Sequence, residues 1–190
     1  MKIAVIIPTL GRSEQVARLL EYLGRQTRLP DEVILSVPDA THVELPDGRP
    51  FQLSSVVGPL GLAAQRNTAL APSLDRFDII TFFDDDFVPS TRYLEQIEQA
   101  FAENDDWAVV MGRVVRDGAS NAGLSWDDAR AALRDAEGQI PSGPSVVDHV
   151  GAYGCNMSLR ASLIGDLRFD DRLVLYGWQE DIDFTSQMRS

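Results

Sequence analysis

Two groups of carboxylates carry the chemistry that this sequence could perform. Asp84-Asp85-Asp86 follows directly on the apolar run Ile79-Ile80-Thr81-Phe82-Phe83, and Glu180, Asp181 and Asp183 form a second acidic group a hundred residues further on. Like charges a few ångströms apart repel and raise one another's pKa, so the triplet calls for a counter-charge. A divalent cation supplies one, because Mn²⁺ or Mg²⁺ prefers oxygen ligands, takes one or two carboxylates and completes its shell with water and phosphate oxygens. In an extended segment side chains alternate, which sends Asp84 and Asp86 to one side and Asp85 to the other. A bare aspartate triplet also serves as a solvated turn or a helix cap. Its place at the carboxyl end of a strand, where α/β sheets hold their ligands, sets the metal reading level with that one. The second group likewise suits the first turn of a helix, where the macrodipole favours negative charge.

The elements that must position these carboxylates read as alternating strands and helices. Ile3-Ala4-Val5-Ile6-Ile7, closed by Pro8, is a strand buried on both faces. Val16, Leu19, Leu20 and Leu23 then share one face of a helix that Ser13 or Thr9 could cap. Val33-Ile34-Leu35 and the stretch from Leu53 to Val57 give two more strands, with a polar, proline-bearing loop from Pro38 to Pro50 between them. A helix from Leu62 to Leu70 precedes the strand that runs into the aspartates. Pro89-Ser90 is expected to open a helix buried through Tyr93, Ile97, Ala100 and Phe101. Val109-Val110-Met111 and Val114-Val115 supply further strand. Residues 117–144 break the rhythm and are expected to form an insertion or lid, with a short helix from Trp126 to Ala136 behind a Ser125 cap. This order implies an α/β fold with a mainly parallel central sheet and a single domain over residues 1–190.

Composition narrows the partners. A formal net charge of −12 leaves no basic stripe for a nucleic-acid backbone, so any anionic ligand must be met locally, by a metal or a few placed groups. Cys155 is the only cysteine, which excludes an intrachain disulfide and suits a small buried side chain. The first apolar run is too short for a signal peptide or a membrane span. A cytoplasmic protein is expected, touching a membrane only through partners or segments beyond this sequence.

Several segments, in order, resemble the family-2 inverting glycosyltransferases of the A-type nucleotide-sugar fold (GT-A). They are Ile3 to Arg12, Gly61-Leu62-Ala63-Ala64-Gln65-Arg66-Asn67, Phe82 to Asp86, Gly154-Cys155-Asn156-Met157-Ser158-Leu159-Arg160, and Phe169-Asp170-Asp171 with Gly177-Trp178-Gln179-Glu180-Asp181-Ile182-Asp183. The resemblance implies transfer of a sugar, with inversion, from a UDP, GDP or dTDP donor to the hydroxyl of a saccharide, lipid-linked or small-molecule acceptor, assisted by Mn²⁺ or Mg²⁺. It implies that Pro8, Thr9 and Arg12 line the base pocket and that Arg66 reaches toward the base or diphosphate. Asp84 would face the ribose beside Asp85 and share the metal with Asp86. Asp181 would be the general base, with Glu180 the neighbouring candidate. The second strand departs from the pattern: Val37 and Pro38 stand where relatives carry an acidic pair, and Asp39 is the substitute within reach.

Other residues keep two readings. Tyr176 and Trp178 suit stacking on an acceptor sugar as well as core packing. His149 suits a structural role better than a metal, and Asp127-Asp128 reads as decoration of a helix N-terminus. A sugar-nucleotide-binding or nucleotidyltransferase-like domain without glycosyl transfer is the alternative. Gly11-Arg12 is a poor version of the glycine-rich phosphate loop that a nucleotidyltransferase would need. The sequence is expected to stop inside the helix carrying Ile182, Phe184 and Met188, as an excised catalytic core would.

Overall fold

A computed structural model describes residues 1–119, 123–137, 151–173 and 179–188. Six strands form one sheet: β1 (Ile3–Pro8), β2 (Glu32–Val37), β3 (Gln52–Val57), β4 (Ile79–Phe82), β5 (Val109–Met111) and β6 (Met157–Arg160), in the order β3-β2-β1-β4-β6-β5. The first four pair in parallel, while β6 runs antiparallel to both β4 and β5. Every residue of β1, β2 and β4 is buried, which is why these strands read as mainly apolar runs and not as alternating ones.

The two faces of the sheet carry two cores. Ile3, Val5, Ile7, Val33 and Leu35 pack against Val16, Leu19, Leu20 and Leu23 of α1 (Ser13–Leu23) and against Leu94, Ile97 and Phe101 of α3 (Tyr93–Glu103). Ala4, Ile6, Ile34, Ile80 and Phe82 face the other way. They meet Ala63 and Leu70 of α2 (Leu62–Leu70), Phe169, and Phe184 of α5 (Glu180–Gln187). Each large aliphatic side chain buried this way contributes about 1.5–3 kcal/mol over its exposed state, so the two faces hold the strand ends rigidly. Rigid strand ends are what a site at their tips requires.

The structure departs from the sequence reading at four places. Neither Ser13 nor Thr9 caps α1: Arg12 holds the cap position without a side-chain bond, and the Thr9 hydroxyl is spent on Asp85. The third helix starts at Tyr93 and not at Pro89. Its N-terminus is satisfied from a distance by Gln26, which accepts from Leu94 N at 3.1 Å and donates to Ser90 O at 2.7 Å. Val114 and Val115 extend no strand, because β5 ends at Met111. The aspartate triplet is not extended: Phe87 N donates to Asp84 O at 3.0 Å, closing a turn that cancels the alternation of side chains.

Within 117–144, α4 (Trp126–Glu137) forms where expected, with Ser125 Oγ accepting from Asp128 N at 3.1 Å. Trp126 stacks on Tyr22 of α1, with centroids 5.5 Å apart and planes 14° from parallel. Among the described residues no helix is long and apolar enough to cross a membrane.

Candidate active site

A cleft of ≈ 310 Å³ opens beyond the carboxyl ends of β1 and β4, lined by Pro8, Thr9, Leu10, Arg12, Leu62, Gln65 and Asp84 to Asp86. Pro8 ends β1 and the aspartates follow β4, its parallel neighbour, so the sheet's register brings these segments together. The turn at 84–87 then distributes the three carboxylates. Asp85, 5% exposed, accepts from Thr9 Oγ1 and from Arg12 Nη1, both at 2.7 Å. Exposed Asp86 accepts from Arg12 Nη2 at 2.8 Å. Asp84 turns the other way, toward Arg66 Nη2 at 3.2 Å.

Arg66 joins the two acidic groups. Its side chain is 1% exposed, lies over Phe82 and Phe169 at 5.9 and 5.4 Å, and donates to Glu180 Oε1 at 2.5 Å. It therefore holds Asp84 at one end and the first residue of α5 at the other, 114 residues away in sequence. Arg66 Nη2 also donates to Gly154 O at 3.2 Å, while Gly154 N donates to Asp181 Oδ2 at 2.6 Å. A Cβ at Gly154 would sit 2.8 Å from Arg66 Nη2 and 2.9 Å from Asp181 Oδ2, so any side chain there would push the cation or the carboxylate aside. The second oxygen of Asp181 accepts from Ile182 N at 2.8 Å, at the start of α5.

Burial holds Glu180 above the usual carboxylate range, against the pull of Arg66. Burial likewise pushes up Asp84, opposed by Arg66 and reinforced by the charges of Asp86 and Asp181. Asp85 is raised by burial, against its bonds to Thr9 and Arg12. Three carboxylates thus face two arginines, one of them shared with Glu180. Among the described residues no three His, Cys, Asp or Glu side chains converge into a complete metal cage. This donor set fits a hard cation that takes one or two carboxylates and draws its other ligands from a diphosphate and water.

Other expected residues fall elsewhere. Asp39 is exposed, and its carboxylate accepts from Thr41 N and Thr41 Oγ1, both at 2.8 Å, capping the short turn Ala40–His42. Cys155 is partly buried, and its thiol is pushed up to about 12 by burial and by Asp84. His149, Tyr176 and Trp178 lie outside the described residues. Sequence reasoning missed the Arg66–Glu180 pair, the close approach at Gly154 and the part played by Gln65. The only available signal was the bulky polar pair Gln65-Arg66 directly after Leu62-Ala63-Ala64.

A sheet of this order, with the cleft and its aspartates at the strand ends, defines a GT-A glycosyltransferase fold. The sequence pattern of glycosyl transferase family 2 matches residues 4–152, and the chain belongs to that family. No curated protein matches it. Among solved structures, S. aureus TarS is similar at 17% identity and a TM-score of 0.65 over 99% of this chain and 33% of its own. Mannosyltransferase PcManGT from Pyrobaculum calidifontis, solved with GDP-Man and Mn²⁺, is 20% identical with a TM-score of 0.58 over 90% and 48%. Glucosyl-3-phosphoglycerate synthase from Mycobacterium tuberculosis, solved with Mn²⁺, UDP and glucosyl-3-phosphoglycerate, is 18% identical with a TM-score of 0.55 over 90% and 60%. The chain thus spans less than two thirds of each of these relatives.

Proposed function

We propose that this domain transfers a sugar, with inversion, from a nucleoside-diphosphate donor in the cleft to an acceptor hydroxyl activated by Asp181. The observation that carries this reading is the link from Asp84 through Arg66 and Gly154 to Glu180 and Asp181. It couples a donor cleft to a second carboxylate at a fixed separation. Relatives solved with UDP or GDP-Man and Mn²⁺ support the donor class.

Asp86, with Asp84, would hold Mn²⁺ or Mg²⁺, which as a Lewis acid offsets the charge that develops on the departing diphosphate. Asp86 suits that role because its partner Arg12 is exposed and the ion pair is cheap to open. Arg12, freed from Asp86 but still held by Asp85, lies at the mouth of the cleft with its Nη2 available to phosphate oxygens. Pro8, Leu10 and Leu62 give the cleft apolar walls against which a base can pack.

Asp181 is favoured over Glu180 as the base. Glu180 is 2% exposed and tied to Arg66, whereas Asp181 is only partly buried and is held in place by two backbone N–H groups. The acceptor oxygen attacks the anomeric carbon and its proton passes to Asp181 as the bond to the diphosphate breaks on the opposite face. The test is calorimetric titration with UDP-, GDP- and dTDP-sugars, with and without Mn²⁺. One of them should bind only with the metal, and metal-independent binding or none at all would sink the reading.

A further inference from the structure

The cleft contains a fixed hydrogen-bond acceptor that the transfer chemistry leaves unused. Gln65, on α2, sits between the ends of β1 and β2, is 4% exposed and lines the cleft. Its Nε2 donates to Thr9 O at 2.9 Å and to Ser36 O at 2.7 Å, so both amide hydrogens are committed to backbone carbonyls. The flipped amide would set an oxygen against two carbonyl oxygens, so only one orientation is tenable. The backbone is clamped as well: Ser36 Oγ donates to Gln65 O at 2.6 Å, and Thr9 N donates to Ser36 O at 3.0 Å.

That leaves Oε1, which has no hydrogen-bond partner among the described residues and is the one polar atom of this side chain free to meet a ligand. It is not among the atoms that are fully buried and unsatisfied, so it keeps some exposure to solvent, and Gln65 is one of the residues lining the cleft. At the end of β2, neither Val37 nor Asp39 lines that cleft, and Asp39 Oδ1 accepts from Thr41 N and Thr41 Oγ1.

We propose that Gln65 Oε1 reads the nucleobase of the donor and selects bases that present an imino N–H. Uracil and thymine offer N3–H and guanine offers N1–H, whereas cytosine and adenine set a ring-nitrogen lone pair at the matching place. A buried acceptor that cannot rotate rejects a partner lacking the donor, because the acceptor is then left unpaired. The proposal rests on the nucleotide-sugar function above, and its test separates the two.

Calorimetry in constant Mn²⁺ would compare UDP, dTDP, GDP, CDP and ADP on the unaltered protein, and then UDP against N3-methyl-UDP, or GDP against N1-methyl-GDP where guanine binds better. An imino-bearing nucleotide should bind about tenfold or more tighter than CDP, ADP and its own methylated form, the worth of one well-placed hydrogen bond. Gln65→Ala and Gln65→Met should each bring those ratios to within roughly threefold, with thermal unfolding confirming that the variants fold. Equal binding of all five diphosphates by the unaltered protein would overturn the base-reading role and leave the donor site standing. Failure of every diphosphate to bind would overturn both. A preference that survives in both variants would assign base reading to another group. If neither variant folds, the methylated nucleotides decide the matter on the unaltered protein.

Discussion

Replacing Arg66 with Met removes a cation that is 1% exposed and leaves its partner Glu180, 2% exposed, charged and unpaired. Breaking a buried ion pair from one side costs about 3–5 kcal/mol, and a chain of this size loses roughly 2–4 °C of Tm per kcal/mol, so Tm should fall by about 6–20 °C. The loss should depend on pH with a definite sign. Burial already holds Glu180 above the usual range, and without Arg66 its pKa rises further. A group raised in the folded state contributes stability that is present below its unfolded pKa and lost as pH climbs through the folded one. The penalty of Arg66→Met should therefore be smaller at pH 5 than at pH 8. Adding Glu180→Leu removes the stranded carboxylate and should recover most of the loss. Thermal and urea unfolding of both variants at the two pH values gives the answer. A single variant within 2 °C of the parent, or a double variant no more stable than the single, would show that Glu180 does not depend on Arg66 for its charge.

Gly154→Ala places a methyl 2.8 Å from Arg66 Nη2 and 2.9 Å from Asp181 Oδ2. Turnover should drop by roughly tenfold or more with donor KM little changed, since misplaced catalytic groups cost rate before affinity; unchanged kcat would show that this contact is slack. Asp86→Ala should abolish the Mn²⁺-dependent part of donor binding while leaving Tm near that of the parent, as read by calorimetry and thermal unfolding. Asp31 is pushed up by burial, yet the N–H of Ile3 and the Arg28 guanidinium outweigh that and hold its carboxyl below the usual range. Its stabilising effect is thus present above the unfolded pKa of about 3.9 and is lost as pH falls through the folded value. Asp31→Asn should flatten the decline in unfolding free energy between pH 5 and pH 3, and an unchanged slope would assign that decline to other groups.

The buried strands and the inner faces of α1 and α3 were legible because burial on both sheet faces, or on one helix face, leaves its period in the sequence. The Leu62–Leu70 helix matched residue for residue. What escaped was set by tertiary contact. Pro89 looked like the start of a helix, but Gln26, more than sixty residues away, supplies the bonds that let α3 begin at Tyr93. The Asp84 to Asp86 triplet looked like a strand end with alternating side chains. A turn at 84–87 instead sends Asp85 and Asp86 to Arg12 and Asp84 to Arg66. Spacing could name the carboxylates but could not pair Arg66 with Glu180, because that bond closes a loop of 114 residues. Gln65 was equally hidden, since its role depends on where two strand ends lie and not on its neighbours in sequence.

In the proposed reaction Asp181 activates an acceptor while the diphosphate leaves from the opposite face of the sugar. Once a donor is found, its transfer to water can be followed by proton NMR, which reads the anomeric configuration of the first sugar released by the parent and by Asp181→Asn. An α-linked donor should yield the β anomer first, with release all but lost in Asp181→Asn while donor binding persists. Release of the α anomer first, or undiminished turnover by Asp181→Asn, would contradict it.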